Sequence, residues 1–429
     1  MRQPFVSVVN LGCRVNRVES DRISRELAEA GFALVSQDEA DVVVINTCAV
    51  TGEAEAKTRK AVRHALSLPR KPIVVATGCV VNLHADELEQ LSDRVVCEPS
   101  KVDVPARVAR EIGYVPTSEP QGPADADFAR LLGRNRIGVK VQDGCDNRCT
   151  YCIVWKARGA SRSVPVDEVL EQVSRVAAAG VPEVVLTGVN LGRYDGADER
   201  DRHVELDELV ARILERTDVG HVRLSSIEPQ DVTDRLLERI AASEGRVAPF
   251  FHMPLQSGCT STLERMDRAY TADDYAEIVA RVREALPTAA ISCDIIAGFP
   301  GETEDEAAQS LEFCERIGFS RMHVFRYSRR PGTWAATAPD QVPPDVMARR
   351  AADLRKLAER MASEDRRRRI GTIEPAVMEG DDVGTLASFH RVRVEGDEPL
   401  AGRLVRVKIC SEDGSGTLLG SVVDKRTVC

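Results

Sequence analysis

Along the first hundred residues, short apolar runs alternate with longer amphipathic stretches. Phe5–Leu11, Asp41–Thr47 and Ile73–Thr77 read as strands, while Glu19–Ala30 and Glu53–Leu68 repeat apolar residues at helical spacing. This alternation predicts a small parallel α/β sheet. Six further strand-like runs follow: Gly138–Gln142, Glu183–Val189, His221–Ile227, Phe250–Leu255, Ile291–Ile296 and Met322–Tyr327. Helical patterns such as VDEVLEQVSRVAAAG and TADDYAEIVARVREAL separate them, and Thr303 with Glu306 has capping-box spacing. Six β/α units joined by right-handed crossovers predict a partial (β/α)6 barrel rather than the full eight. Residues 344–370 form a charged helical pattern, and residues 371–429 carry short Val- and Leu-rich runs punctuated by Gly, the mark of a small all-β barrel. The expected organisation is therefore α/β overall. An N-terminal domain spans 1–98, a Pro-, Gly- and acid-rich linker 99–134, the central barrel 135–343, a helical connector 344–370 and a terminal barrel 371–429.

Composition narrows this picture. At 429 residues the chain is too long for one small scaffold, and 43% hydrophobic with 29% charged residues is ordinary for a globular protein. With 58 basic against 68 acidic residues, the net charge of −10 argues against nucleic acid held by general electrostatics, so any RNA must be gripped by local patches. No run approaches the roughly 18 apolar residues of a membrane span, and the opening residues lack the pattern of a secretory leader. Twelve cysteines in such a chain point to thiolates used for metal or chemistry in a reducing compartment, with the cytoplasm expected.

The cysteines fall into two sets. Cys145, Cys149 and Cys152 lie in GCDNRCTYC, a C-x3-C-x2-C run just after the first barrel strand. Three thiolates on one loop can hold three irons of a cubane cluster and leave the fourth iron open to a ligand. The alternative is a structural zinc knuckle, which requires a fourth Cys or His. The second set is dispersed: each N-terminal strand is followed by a cysteine, giving Cys13 in LGC, Cys48 in NTC and Cys79 in TGC. The carboxyl ends of parallel strands share one edge, so these three thiols can converge.

The C-x3-C-x2-C loop after a barrel strand resembles the radical S-adenosylmethionine enzymes. LGCRVNRVESD, NTCAVT and TGC narrow the likeness to the methylthiotransferases, and DGCDNRCTYCIVWKARGASRS, VVLTGVNLGRYDG, RLSSIEP, HMPLQSGC, DIIAGFPGETEDE and HVFRYSRRPGTWAA are most similar to the subgroup that modifies threonylcarbamoyladenosine beside the tRNA anticodon. The resemblance implies two 4Fe-4S clusters, one on each cysteine trio, both with an open iron. It also implies S-adenosylmethionine bound at the barrel cluster, where one electron generates a 5'-deoxyadenosyl radical. The implied reaction replaces the hydrogen at C2 of the adenine with a methylthio group, at position 37 of the tRNA. The implied partners are the anticodon stem-loop, an electron donor such as flavodoxin or ferredoxin, and a sulfur source. Competing readings are a methylthiotransferase for isopentenyladenosine or for a ribosomal-protein aspartate, or a noncatalytic metal-containing RNA-binding protein.

Other candidates cluster at strand ends. Asn190, Ser226, Glu228, Gln256 and Asp294 lie at the same edge as the cluster loop and can hold S-adenosylmethionine or orient the base. The cofactor set is completed by Tyr151 within the cysteine loop and by Gly298 and Gly301 of GFPGET, whose turn can approach the cofactor or simply precede a capped helix. Arg158 and Arg162 can reach phosphate or carboxylate, and Arg366, Arg367, Arg368 and Arg369 can contact the tRNA backbone. His252 and His323 read as core histidines without a role, and Cys97, Cys259, Cys293, Cys314, Cys410 and Cys429 as incidental thiols. Two features depart from the family. Trp155–Lys156 replaces its usual Pro-Tyr pair, and residues 371–429 carry 7 basic against 10 acidic residues, awkward for an RNA grip.

Overall fold

The structure, a computed structural model, describes residues 3–116, 134–396 and 398–424. In the first domain, strands Phe5–Asn10, Ala33–Leu34, Val42–Thr47, Ile73–Gly78 and Val95–Cys97 form an all-parallel sheet, with the first strand between the second and third. Val42–Thr47 is buried along its whole length because helices cover both faces of the sheet. On one face Val43, Ile45, Val74 and Ala76 pack with Val62 and Ala65; on the other Val42, Val44 and Val75 pack with Ile23 and Leu27.

The segment expected to be a linker begins differently. Val104–Glu111 is a helix whose Val104, Val108 and Ala109 join the core beside Val6 and Phe32, and Tyr114 meets Phe32 edge-on at 5.0 Å. The first compact unit thus continues beyond residue 98. Two turns of helix give too short an apolar period to stand out from the sequence. The rest of the expected linker, residues 117–133, lies outside the described residues.

The central domain has six parallel strands. Arg136–Lys140, Glu183–Thr187 and His221–Leu224 form one half, and Phe250–His252, Ala290–Ala297 and Arg321–Arg326 the other. Bridges from Val222 to Val247 and from Ser226 to His252 join the halves, giving the partial barrel. Five helices, Val166–Ala178, Leu206–Arg216, Asp234–Ala242, Ala272–Ala285 and Glu304–Ile317, intervene between strands. The last starts with the expected capping box of Thr303 and Glu306.

The first domain leans on this barrel through the helix Arg14–Glu29. A Cβ on Gly138 would lie 2.2 Å from Val18 Cγ2, so glycine is what lets helix and strand touch. Arg158 crosses the junction to Asn16 Oδ1 at 2.6 Å and Glu19 at 3.0 Å, and Gly52 donates to Ser328 Oγ at 2.9 Å.

The helix Pro344–Arg369 leads to a closed five-stranded barrel of Ile373–Met378, Val383–Leu386, Arg391–Val394, Leu404–Glu412 and Leu418–Asp424. This barrel is docked against the floor of the large one. Arg223, fully buried, donates to the carbonyl oxygens of Ala387 and Leu386 at 2.7 and 3.2 Å, and Phe389 stacks on Phe250 at 5.0 Å. No described helix is long and apolar enough to cross a membrane.

Candidate functional site

Each dispersed cysteine sits where a parallel strand of the first sheet ends. Asn10 pairs with Asn46 and Thr47 with Gly78 in register, so the residues after these strands emerge side by side. Cys13 precedes the helix Arg14–Glu29, Cys48 follows its strand directly, and Cys79 opens the helix Cys79–Glu89. Side chains hold the edge in place: the Asn16 amide donates to the carbonyls of Leu11 and Thr47 at 2.7 and 2.8 Å, and Thr47 Oγ1 accepts from Val80 N at 3.1 Å. Gly12, at φ +97°, passes so close that a Cβ would lie 2.4 Å from Cys48 Sγ. Burial pushes the Cys48 thiol up to about 11, with the neighbouring Cys13 and Cys79 adding to the shift.

The second trio occupies the loop after the first barrel strand. Gln142 organises it: its amide donates to the carbonyls of Asp143 and Gly144 at 3.0 and 2.9 Å, and its oxygen accepts from Asn190 N at 2.8 Å. Burial raises the Cys145 thiol and pushes Cys152 up to about 12. Arg268 lies over the loop, its Nη1 3.3 Å from Cys149 Sγ, while its other nitrogens reach Glu228 and the Tyr270 hydroxyl. The elements that carry the two trios meet: the helix begun by Cys79 packs on the helix Val154–Arg158 that follows Cys152, and Asn82 donates to the Ala157 carbonyl at 2.7 Å.

These six thiols are free. Buried thiols with raised pKa values become thiolates only beside positive charge, and iron supplies it. Among the described residues, His252, Asp294 and His323 are the one group of potential metal ligands whose ligand atoms lie within 4.8 Å of one another.

Around the barrel trio, Asn190 is buried against Cys145 with its Oδ1 lacking a partner, an orphan acceptor at the strand edge. Tyr151 packs edge-on to Phe299 at 6.4 Å beside Cys149 and Cys152, and burial raises its hydroxyl. Glu228 pairs with Arg268, and Ser226 bridges to His252. Gln256, at φ +68°, pairs through its backbone with Asp294 and Ile296.

Several expectations need correction. Asp294 has histidine neighbours: its Oδ1 lies 3.4 Å from His252 Nε2 and 3.1 Å from His323 Nδ1, partners that hold its carboxyl well below the usual range despite burial. Those histidines, expected to be inert core, form a polar layer on three neighbouring strands. Gly298 and Gly301 serve turn geometry: a Cβ on Gly298 would strike Met347 at 2.1 Å, and Gly301 N donates to Asp340 O at 2.7 Å. Arg158 is 5% exposed and spent on Glu19 and Asp143, so it is a domain-joining residue rather than an RNA contact. Arg366 pairs with Glu412, and Arg369, 7% exposed, with Asp365 and Glu374. Of the arginine run, Arg367 and Arg368 remain exposed. Arg162 is 58% exposed and touches Asp143. Trp155 lies between Arg148 and Lys156, at 4.5 and 5.0 Å from its ring. Among the other thiols Cys97, Cys259, Cys293 and Cys314 are buried and Cys410 exposed, while Cys429 lies outside the described residues.

Comparison with known proteins places this architecture. Residues 139–314 match the Radical SAM superfamily, and residues 6–97 match the Uncharacterized protein family UPF0004. The threonylcarbamoyladenosine tRNA methylthiotransferase MtaB of Bacillus subtilis is 33% identical over 94% of this chain and 93% of its own length. The chain belongs to the tRNA methylthiotransferase family. MtaB of Thermotoga maritima, at 34% identity, covers 95% of both chains. The tRNA-2-methylthio-N(6)-dimethylallyladenosine synthase of Acidothermus cellulolyticus is 37% identical over 87% of this chain and 77% of its own. Among solved structures, the radical S-adenosylmethionine methyltransferase TsrM from Kitasatospora setae, with cobalamin and a [4Fe-4S] cluster, shares the fold at a TM-score of 0.56 and 14% identity, covering 78% of this chain and 77% of its own. For a tRNA methylthiotransferase, the residues sequence reading missed are Gln142, which shapes the cysteine loop, and Arg268, which charges it. Arg268 lies far along the chain in an ordinary MDRAY stretch, and only the fold reveals its role.

Proposed function

We propose that this radical S-adenosylmethionine methylthiotransferase converts N6-threonylcarbamoyladenosine, next to the tRNA anticodon, into its 2-methylthio derivative. The observation that carries the reading is the pair of thiol trios on elements that meet, in a chain aligned nearly end to end with relatives named for this activity. Cys145, Cys149 and Cys152 would hold one 4Fe-4S cluster, and Cys13, Cys48 and Cys79 a second. When bound, the first cluster with S-adenosylmethionine supplies the one-electron chemistry an unactivated aromatic C–H bond demands, while the second provides a place to hold sulfur. Asn190 offers its orphan Oδ1 to the cofactor's polar end. Arg268 holds positive charge against Cys149 and orients Glu228. Arg158, buried between Glu19 and Asp143, fixes the separation of the two trios and keeps water from the junction. Arg162, Arg367 and Arg368 are left to meet RNA phosphates, in a reducing, cytoplasmic setting with an external electron donor and sulfur source.

The alternative substrate, dimethylallyladenosine, is favoured by relatives of similar identity that carry that name. Mass spectrometry of tRNA nucleosides from a deletion strain separates the two. Loss of the methylthio form of threonylcarbamoyladenosine is expected; its persistence, with no second enzyme present, would sink the assignment.

A further inference from the structure

At the floor of the large barrel, four arginines surround one aromatic ring. The guanidinium carbons of Arg14, Arg136, Arg223 and Arg321 lie 5.8, 5.6, 4.9 and 5.5 Å from the centroid of Phe389. They come from all three domains. Arg14 begins the helix after Cys13, the next three stand on the first, third and sixth barrel strands, and Phe389 is delivered by the terminal barrel. Phe389 has φ +71°, a conformation a bulky residue adopts only where its surroundings compel it. The strain is used to aim its ring into the group of arginines.

The charges there do not cancel. Arg223 is answered by Glu183 at 3.0 Å, which His221 also shares, and Arg136 by Glu379. Glu183 also acts electrostatically on Arg14, but among the described residues neither Arg14 nor Arg321 has a carboxylate oxygen at ion-pair distance, and both lie against the ring face. Two surplus cations, both solvent-accessible, against an aromatic face form a site for an anion.

The position suggests which anion. Arg14 is bonded to Cys13, so its guanidinium reaches from a cluster-bearing residue to the floor. Along the sixth strand Arg321, His323 and Phe325 occupy one face, in register with Ser292, Asp294 and Ile296, and Phe325 is 42% exposed. A line of side chains on one strand face thus leads from Phe325 through His323 to Arg321. The reacting C2 of the adenine must face the trios, and the N6 substituent leaves the ring from C6, across N1 from C2, on a bond that diverges from C2–H and can extend along this strand face. A threonylcarbamoyl group ends in a carboxylate, the natural partner of a guanidinium fork, whereas a dimethylallyl group ends in methyls.

We propose that Arg14 and Arg321, backed by Arg136 and Arg223 around Phe389, bind the carboxylate of the threonylcarbamoyl group and so determine which modified adenosine is accepted. This rests on the substrate reading above. The test uses the full-length reconstituted protein and two anticodon stem-loops, one carrying threonylcarbamoyladenosine and one in which its carboxylate is converted to the neutral amide. Wild type is expected to bind the acid at least about tenfold more tightly by fluorescence anisotropy, with kcat/KM following, as for loss of a charged hydrogen bond. Arg321→Gln is expected to bring that ratio close to one, and Arg321→Lys to restore part of it. Equal binding of acid and amide by wild type, with the acid still methylthiolated, overturns the proposal alone. So does an Arg321→Gln protein that weakens both stem-loops and an unmodified one alike with a flatter salt dependence, since that marks a phosphate contact. Methylthiolation of a dimethylallyl stem-loop only would overturn the proposal and the substrate reading together.

Discussion

The barrel trio lies within one short stretch, Cys145 to Cys152, whereas the sheet trio gathers Cys13, Cys48 and Cys79 from the ends of three paired strands. The first is a property of a loop, braced by Gln142. The second is a property of register, because a slip of one residue along any of these strands turns a thiol to the other face. Separate construction would let each site be damaged without the other, which is what the proposed division of labour between two clusters requires.

The sharpest way to break this comparison is to remove one ligand from each trio. Cys149→Ala is expected to abolish 5'-deoxyadenosine formation, while Cys48→Ala leaves some formation but no thiolated product. Equal loss of both activities in folded Cys48→Ala would refute the separation. Gly12→Ala tests register more gently: its new Cβ meets Cys48 Sγ at 2.4 Å, at a φ of +97°. Iron after anaerobic reconstitution should fall from about eight to about four per chain. Gly159→Ala, at φ +76° but with open space around it, should keep the full iron content.

Stability measurements extend the comparison to the arginines. Arg158→Ala removes one of the two cations shared by buried Glu19 and Asp143, Lys140 being the other, and should cost about 1.5–3 kcal/mol in urea unfolding. Arg367→Ala, on an exposed helix surface, should stay within about 0.5 kcal/mol of wild type.

The smallest effect is a pH dependence in the terminal domain. Although burial opposes ionisation, His390 and Arg369 lower Asp365 from 3.8 to about 2. A carboxyl depressed in the folded state stabilises fully above its unfolded value, and that contribution disappears as pH falls through the folded one. Unfolding between pH 5 and pH 2 should show this decline, and His390→Gln, which removes one partner, should flatten it.

Much of this was legible beforehand. Six barrel strands, the capping box at Thr303 and both cysteine trios follow from periodicity and spacing, because strands with buried faces and short ligand loops leave local marks. The helix Val104–Glu111 left too little apolar period. Arg158 and Arg369 look like free surface cations in the sequence, and only the packing of distant carboxylates around them reveals otherwise. The same holds for Arg268 and for the arginines around Phe389, whose partners are set by topology rather than by neighbours in the chain.

The floor beneath the large barrel is built from residues that follow every cysteine of both trios in the sequence. When synthesis reaches the end of the long helix at Arg369, every cysteine of both trios has already emerged, but Arg223 still lacks the carbonyls of Leu386 and Ala387. Until those acceptors are in place, Glu183 alone answers the Arg223 guanidinium, so closing the floor waits on the terminal barrel.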